Sequence, residues 1–196
     1  MIKAVIFDLG GVVVDYTNHD YYIHIAEKAG IDAEHVREVF EGRELDSLER
    51  GKMNVKTFEE RMAVKIGMEK KDVGWYDFFI KKAKVNFDVQ EIAGKLHDEY
   101  VTAFISNIDR SRYNYTRKMI NLDLFDYKFT SCYIGYRKPD RRIYEFAVKR
   151  MRIRYENAVF IDDMAENIDS AEKLGINGVM FKNRRGLDVA LYKLGL

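Results

Sequence analysis

The chain has 196 residues, 47% hydrophobic, 13% aromatic and 33% charged, enough apolar side chain for one cored domain or a domain with a modest insert. That composition excludes a disordered, collagen-like or mucin-like polymer. With 33 Lys and Arg against 32 Asp and Glu the net charge is +1, so no global field draws the protein to nucleic acid or an anionic membrane, and any anion must be held locally.

The first predicted element is a buried parallel strand, Ile2 to Phe7, apolar and partly β-branched, ending in the turn Asp8-Leu9-Gly10-Gly11. The apolar runs Ala4 to Phe7 and Val12 to Val14 are broken by Asp8 and are too short for a membrane span or a signal-peptide core. From about Asn18 to Lys84 only helical periods recur: Tyr22, Ile25, Ala26 and Ala29; Val36, Val39 and Phe40; Phe58, Met62 and Ile66. Trp75, Tyr76, Phe78 and Phe79 form an aromatic cluster that either lines a pocket or makes the core of this small helical piece, the second being the commoner use of such a cluster.

Beyond it, helix and strand alternate. Val89, Ile92, Ala93 and Leu96 mark a helix, Tyr100 to Ile105 a strand, and Tyr113, Arg117 and Ile120 the next helix. Phe129-Thr130 reads as a short strand, Ile143, Phe146, Ala147 and Met151 as a helical stripe, and Ala158 to Ile161 as another buried strand. Ile168, Ala171 and Leu174 form a helix that Gly175 ends in a left-handed cap, ahead of a last strand near Gly178 to Phe181. The pattern predicts an α/β fold: a doubly wound, Rossmann-like sheet of about five parallel strands, with an all-helical cap inserted after the first strand. The expected division is a core of residues 1–15 and 86–196 and a cap of residues 16–85. The single proline, Pro139, and the lack of any Gly/Ser-rich tract leave no flexible linker. The single cysteine, Cys132, has no internal partner, which fits a cytoplasmic location.

Ligands in such sheets bind beyond the carboxyl ends of the strands, and four chemical signals fall there. Asp8 follows the first strand, Ser106-Asn107 the second, and Asp162-Asp163 the fourth, while Lys138-Pro139 precedes the helix after the third. A carboxylate facing a carboxylate pair is a hard oxygen site suited to Mg²⁺, because such like charges are costly unless a cation joins them. A lysine and a hydroxyl beside it would cradle a phosphoryl group. An aspartate nucleophile then has a task, since cations offset its repulsion from the incoming phosphate.

The four strings Ile2-Lys3-Ala4-Val5-Ile6-Phe7-Asp8-Leu9-Gly10-Gly11-Val12, Phe104-Ile105-Ser106-Asn107, Gly135-Tyr136-Arg137-Lys138-Pro139-Asp140 and Phe160-Ile161-Asp162-Asp163-Met164-Ala165-Glu166-Asn167 resemble, in that order, those of the haloacid dehalogenase superfamily. The likeness covers nearly the whole chain and lies nearest the branch of glucose 1-phosphate phosphatases and the phosphatase domain of soluble epoxide hydrolases. It implies that Asp8 is a nucleophile forming an aspartyl-phosphate, that Ser106 hydrogen-bonds the phosphoryl oxygens, and that Lys138 bridges nucleophile and phosphate. It also implies Mg²⁺ held by Asp8, the backbone oxygen of Gly10 and Asp163, with Asp162 binding directly or through water, and a donor from Asn107 in the phosphate pocket.

One position departs from that pattern. The superfamily's phosphatases usually carry a second aspartate two residues after the nucleophile, as the acid that protonates the leaving group; here that position is Gly10. Three readings stay open: a substrate with an intrinsically good leaving group, a substitute acid such as Asp15, His19 or His24, or weak or absent turnover. The basic residues Arg137, Lys138, Arg141 and Arg142 either steer anions or form a solvated face. The expected function is Mg²⁺-dependent hydrolysis of a small phosphorylated metabolite, a sugar phosphate among the candidates, with no nucleic-acid or membrane partner and with the oligomeric state left open. The alternatives are a haloacid dehalogenase-type hydrolase, whose chemistry leaves Asp162-Asp163 without a use, or a catalytically silent phosphate-binding or regulatory protein.

Overall fold

The computed structural model describes residues 1–196. In chain order its elements begin with β1 (Ala4–Phe7) and the short strand β2 (Val14–Asp15). Six helices follow: α1 (Asn18–Ala29), α2 (Ala33–Phe40), α3 (Arg43–Glu49), α4 (Val55–Ile66), α5 (Lys70–Val73) and α6 (Trp75–Lys82). Then come β3 (Lys84–Val85), α7 (Phe87–His97), β4 (Val101–Ser106), α8 (Arg110–Thr116), β5 (Tyr127–Thr130), α9 (Ser131–Ile134) and α10 (Arg141–Met151). The chain closes with β6 (Ala158–Asp162), α11 (Ala165–Glu172), β7 (Asn177–Met180) and α12 (Arg184–Lys193).

The main sheet is parallel, in the order β5-β4-β1-β6-β7. Period-2 alternation splits β1 between two cores, since successive side chains of a strand point to opposite faces. Val5 and Phe7 pack with Val89 and Ile92 of α7 and Leu187 and Leu191 of α12, whereas Ala4 and Ile6 pack with Ile143 and Ala147 of α10 and Ile168 and Ala171 of α11. The sheet is therefore covered on both sides, as the run of apolar residues in β1 requires. From β1 the chain goes to β4 on one side and β6 on the other, so strand order reverses at β1 and the crevice beyond its carboxyl end is the expected ligand position.

The helical piece α1 to α6 leaves and re-enters through one neck, where β2 and β3 pair antiparallel with Val14 opposite Val85 and Asp15 opposite Lys84. Its first helix starts firmly: Thr17 Oγ1 accepts from the Asp20 amide at 3.3 Å while the Asp20 carboxylate accepts from the Thr17 amide at 2.9 Å. Its interior is aromatic, with Tyr21 edge-on to Phe40, Trp75 and Phe78, and Trp75 edge-on to Phe58 and Phe79. Trp75, Phe78 and Phe79 are thus core of the helical piece and not a pocket lining.

Several boundaries differ from the sequence reading for physical reasons. Arg117 and Ile120 lie beyond α8, which stops at Thr116; Ile120 is still buried, but from a turn. Ser106 and Asp162 are the last residues of β4 and β6, because their backbones remain paired with Thr130 and Met180. The helices α3 and α5, of 7 and 4 residues, are too short to announce a period. Gly175 does adopt the left-handed conformation, with φ +89°.

Candidate functional site

The strand-end residues are brought together at the carboxyl edge of β1, β4 and β6. Asp8 is 7% exposed, and its Oδ1 accepts the Leu9 amide at 2.6 Å and lies 2.8 Å from Lys138 Nζ. Lys138, 1% exposed, also donates to Asp162 Oδ2 at 2.6 Å. Asp162 is fully buried, and its Oδ1 takes the Met164 amide at 2.8 Å and Asn167 Nδ2 at 3.0 Å. Asp163 completes the group: carboxylate oxygens of Asp8, Asp162 and Asp163 lie within 4.8 Å of one another.

The loop carrying Lys138 is anchored by a neighbour of Ser106. Asn107 Nδ2 donates to the Lys138 carbonyl at 2.8 Å while its Oδ1 accepts the Lys138 amide at 2.7 Å. The Asn107 carboxamide therefore braces the Lys138 peptide, and any donor that residue offers a ligand is its backbone or the remaining amide hydrogen. Ser106 is buried at the strand end and faces the cavity described below. Gly11 takes φ +74°, and a β-carbon there would meet Asp163 Oδ2 at 2.3 Å, so glycine lets the turn after Asp8 approach the second acid.

Three carboxylates around one ammonium give an electrostatic signature. Burial raises the Asp8 carboxyl well above the ordinary range; Lys138 opposes this, and Asp162 and Asp163 add to it. Asp163 is raised as well, by burial and by Asp162. For Lys138, burial alone would lower the ammonium, but Asp162 and Asp8 outweigh it and hold it above its usual value. The lysine stays charged, and the negative charge it leaves uncompensated is what a divalent ion on oxygen ligands would offset. The donor set, carboxylate oxygens with the Gly10 carbonyl on the same cavity wall, suits a hard cation such as Mg²⁺.

Over these residues lies a cavity of about 710 Å³, a size suited to a small metabolite. Its floor includes Asp8, Gly10, Ser106, Asn107, Lys138 and Asp163, and its roof comes from the neck and the first three helices, with Tyr16, Asn18, His19, Tyr22, Glu41 and Leu45. Of the groups considered as substitutes for an acid at position 10, only His19 lines it. Asp15 sits exposed on the neck strand, and the His24 ring stacks on Phe78 at 5.0 Å. At Gly10 itself a β-carbon would lie 3.4 Å from the Tyr16 ring, in ordinary contact, so Tyr16 flanks the space that a longer side chain would enter.

Sequence reasoning missed the buried ion cluster joining roof to floor. Arg112, 2% exposed, pairs with Asp109 at 2.5 Å and Glu49 at 2.9 Å, and its guanidinium lies 4.7 Å from the Trp75 ring centroid and 4.5 Å from that of Phe79. Asp109 also caps α8 through the Ser111 and Arg112 amides and accepts from Trp75 Nε1 at 3.2 Å. Glu49 reaches Arg137 at 3.0 Å, one residue before the buried lysine. Next to it Arg50 Nη1 donates to the Gly135 carbonyl at 2.9 Å, and at Gly51, φ +70°, a β-carbon would strike the Cys132 carbonyl at 2.2 Å. The carboxyl end of α3 is thereby seated on the core. The readable signal was Asp109 as a helix cap; its partners come from distant parts of the chain.

A two-faced parallel α/β sheet carries acids and a buried lysine at its switch point and is roofed there by an inserted helical piece. Residues 2–175 match the family model described as haloacid dehalogenase-like hydrolase, and the chain belongs to that family. Among curated relatives it is 27% identical over 207 residues to D-ribitol-5-phosphate phosphatase of Bacteroides thetaiotaomicron, covering 96% of this chain and 95% of that one. It is 24% identical over 191 residues to drimenol cyclase drtB of Aspergillus calidoustus, covering 94% of this chain but only 35% of that longer one. Among solved structures, an HAD family enzyme of Bacteroides thetaiotaomicron in complex with magnesium and inorganic phosphate superposes with a TM-score of 0.74 at 19% identity, covering 93% of this chain and 95% of that one. No helix is long and apolar enough to cross a membrane.

Proposed function

We propose that the protein is a Mg²⁺-dependent phosphatase of a small phosphorylated metabolite, acting through an aspartyl-phosphate on Asp8. The observation that carries this reading is Lys138 Nζ, 2.8 Å from Asp8 and 2.6 Å from Asp162, buried in a cavity wall with a third carboxylate alongside. Lys138 holds the Asp8 carboxylate oriented and, with the Ser106 hydroxyl, receives the phosphoryl oxygens; Asp8 attacks phosphorus as the ester P–O bond breaks, the leaving oxygen takes its proton from water, and a second water then cleaves the acyl phosphate to inorganic phosphate and the Asp8 carboxylate. Asp8, Asp163 and the Gly10 carbonyl are the groups for the metal. Asp162, whose oxygens are taken by Lys138, Asn167 and the Met164 amide, acts mainly by placing the lysine or through water. When bound, Mg²⁺ supplies charge neutralisation for the phosphoryl oxygens. The related ribitol phosphatase and the fold neighbour that holds magnesium and phosphate are consistent with this chemistry.

Residues 16–85 serve as the cap, excluding bulk water over a core made of 1–15 and 86–196. Because Gly10 has no side chain to protonate the leaving group, esters with acidic leaving groups should turn over best: general acid help is worth about 10²–10⁴-fold where a poor leaving group needs it. The test is a panel of aryl, acyl, sugar and alkyl phosphates assayed with Mg²⁺ and again with chelator. Metal-dependent release of phosphate, fastest from the aryl and acyl esters, is expected; silence across the panel would instead favour a binding protein.

A further inference from the structure

The end of α3 lies against the loop that carries the buried lysine, residues 135–140. That loop has no strand or helix of its own, so its course is set by what its polar groups meet. From the core it is held at the lysine and the residue after it: Asn107 answers the Lys138 amide and carbonyl, and Ser170 Oγ donates to the Pro139 carbonyl at 2.6 Å. From the cap it is held on both flanks. Glu49 Oε2 lies 3.0 Å from Arg137 Nη2, Arg50 Nη1 donates to the Gly135 carbonyl at 2.9 Å, and Arg50 Nη2 lies 3.7 Å from the Asp140 carboxylate. The Lys138 ammonium stands 2.8 Å from Asp8 and 2.6 Å from Asp162 only while this loop stays down.

Glu49 divides its two oxygens between two tasks. Oε1 takes a hydrogen bond from Arg112 at 2.9 Å, and this pair, together with the close approach of Gly51 to the Cys132 carbonyl, seats the cap on the core. Seating is thus met without Arg137, and Oε2 is left for the lysine loop. The contact it makes there is held by charge: Glu49 Oε2 and Arg137 Nε have no hydrogen-bond partner, and the buried Tyr22 hydroxyl, which has both residues as charged neighbours, is unpaired as well. A joint of this kind can yield, because no aligned hydrogen bond has to break when it does.

We propose that Glu49 and Arg137 are positioning residues through which the seated cap holds Lys138 at Asp8, so that nucleophile and lysine are assembled only beneath a closed roof. That Lys138 serves turnover rests on the phosphatase reading given above; its placement does not. The test is Arg137→Met, which leaves the Glu49–Arg112 pair intact, with Arg137→Lys as the rescue, since an ammonium can make the single contact to Glu49. Two quantities are measured: kcat on phenyl phosphate with Mg²⁺, and the rate at which acetic anhydride acylates Lys138, followed by peptide mass spectrometry. In the parent Lys138 is 1% exposed and should be among the slowest lysines to react. In Arg137→Met its acylation is expected to quicken by about tenfold or more as the loop lifts, while kcat falls by about 100-fold. Arg137→Lys should return both to within about threefold of the parent.

An arginine that only steers anions would change kcat or KM and leave the acylation rate alone, and that result overturns the proposal. So does a rescue that restores neither quantity. Should Arg137→Met fail to fold, Glu49→Gln, of the same shape, takes its place with the same expectations. If the parent hydrolyses no ester, the phosphatase reading has failed separately, and the acylation rates decide the positioning on their own.

Discussion

The floor and the roof of the cavity are assembled in different ways. On the floor, each group that matters stands at or just beyond the end of a strand, or in a loop braced by one, and its position follows from the register of β1, β4 and β6. On the roof, position follows from a chain of contacts: Glu49 at the end of α3 meets Arg112 of α8 and Arg137 of the lysine loop, and Arg112 in turn lies over Trp75 and pairs with Asp109. A strand end is a property of a short stretch of sequence, whereas a contact chain is a property of the packed molecule. The floor thus gathers the strand-end acids and the buried lysine, and the roof supplies shape and seating.

If that contrast holds, disturbing the floor abolishes chemistry and spares the fold, while breaking the contact chain under the roof costs stability. The largest effect is expected for Asp8→Asn, which keeps the shape and the acceptor for the Leu9 amide but removes the nucleophile. Turnover should fall by about 10,000-fold or more, about 5.4 kcal/mol of barrier, with the denaturation midpoint at or above that of the parent. Single-turnover assays measure it, and activity within tenfold of the parent would end the covalent reading. Next comes Arg112→Met, which leaves Glu49 and Asp109 buried without their shared cation. A loss of about 3–5 kcal/mol in stability is expected from breaking a buried pair on one side, read by denaturant titration. A loss well under 1 kcal/mol would mean that the cluster is not what seats the cap.

The smallest effect sharpens the electrostatics of the floor. Acids whose folded pKa lies above the unfolded value hold extra protons when folded, so Asp8 and Asp163 cost the metal-free protein stability as pH rises above the ordinary carboxylate value of about 4. Lys138, raised in the folded state, contributes in the opposite way, and its contribution is lost only at pH above about 10. Mg²⁺ should therefore raise the melting temperature little at acid pH and more toward neutrality. At a hundredfold excess over its dissociation constant the gain is about 2.7 kcal/mol, or roughly 5–10 °C for a chain of this size. A shift that does not depend on pH would contradict the assignment of these carboxylates to the metal.

The same contrast explains what was legible in the sequence. The sheet, the insert and the strand-end residues could be read because apolar runs and period-3.6 stripes are local, and Asp8, Ser106, Lys138 and Asp162 sit where those runs end. Asn107 could be marked as belonging to the site, but not that its carboxamide would be turned onto the Lys138 backbone, since that depends on where the lysine loop comes to rest. Glu49 and Arg112 could not be told from ordinary helix-surface charges. They are 63 positions apart and become a buried pair only when α3 lies on the core. Tyr22 was legible as a helical apolar position; that its hydroxyl would be left without a partner depends on how the roof packs over the floor.

The paired neck strands have a consequence for how such an enzyme can be rebuilt. Since Asp15 and Lys84 sit side by side across β2 and β3, everything between them is one contiguous cassette whose two splice points are adjacent. Both joints lie in the two-stranded sheet and outside the five strands of the main sheet. What a replacement cassette must also bring is a docking acid equivalent to Glu49, so the reach of such exchanges is set by a buried handshake rather than by the joints.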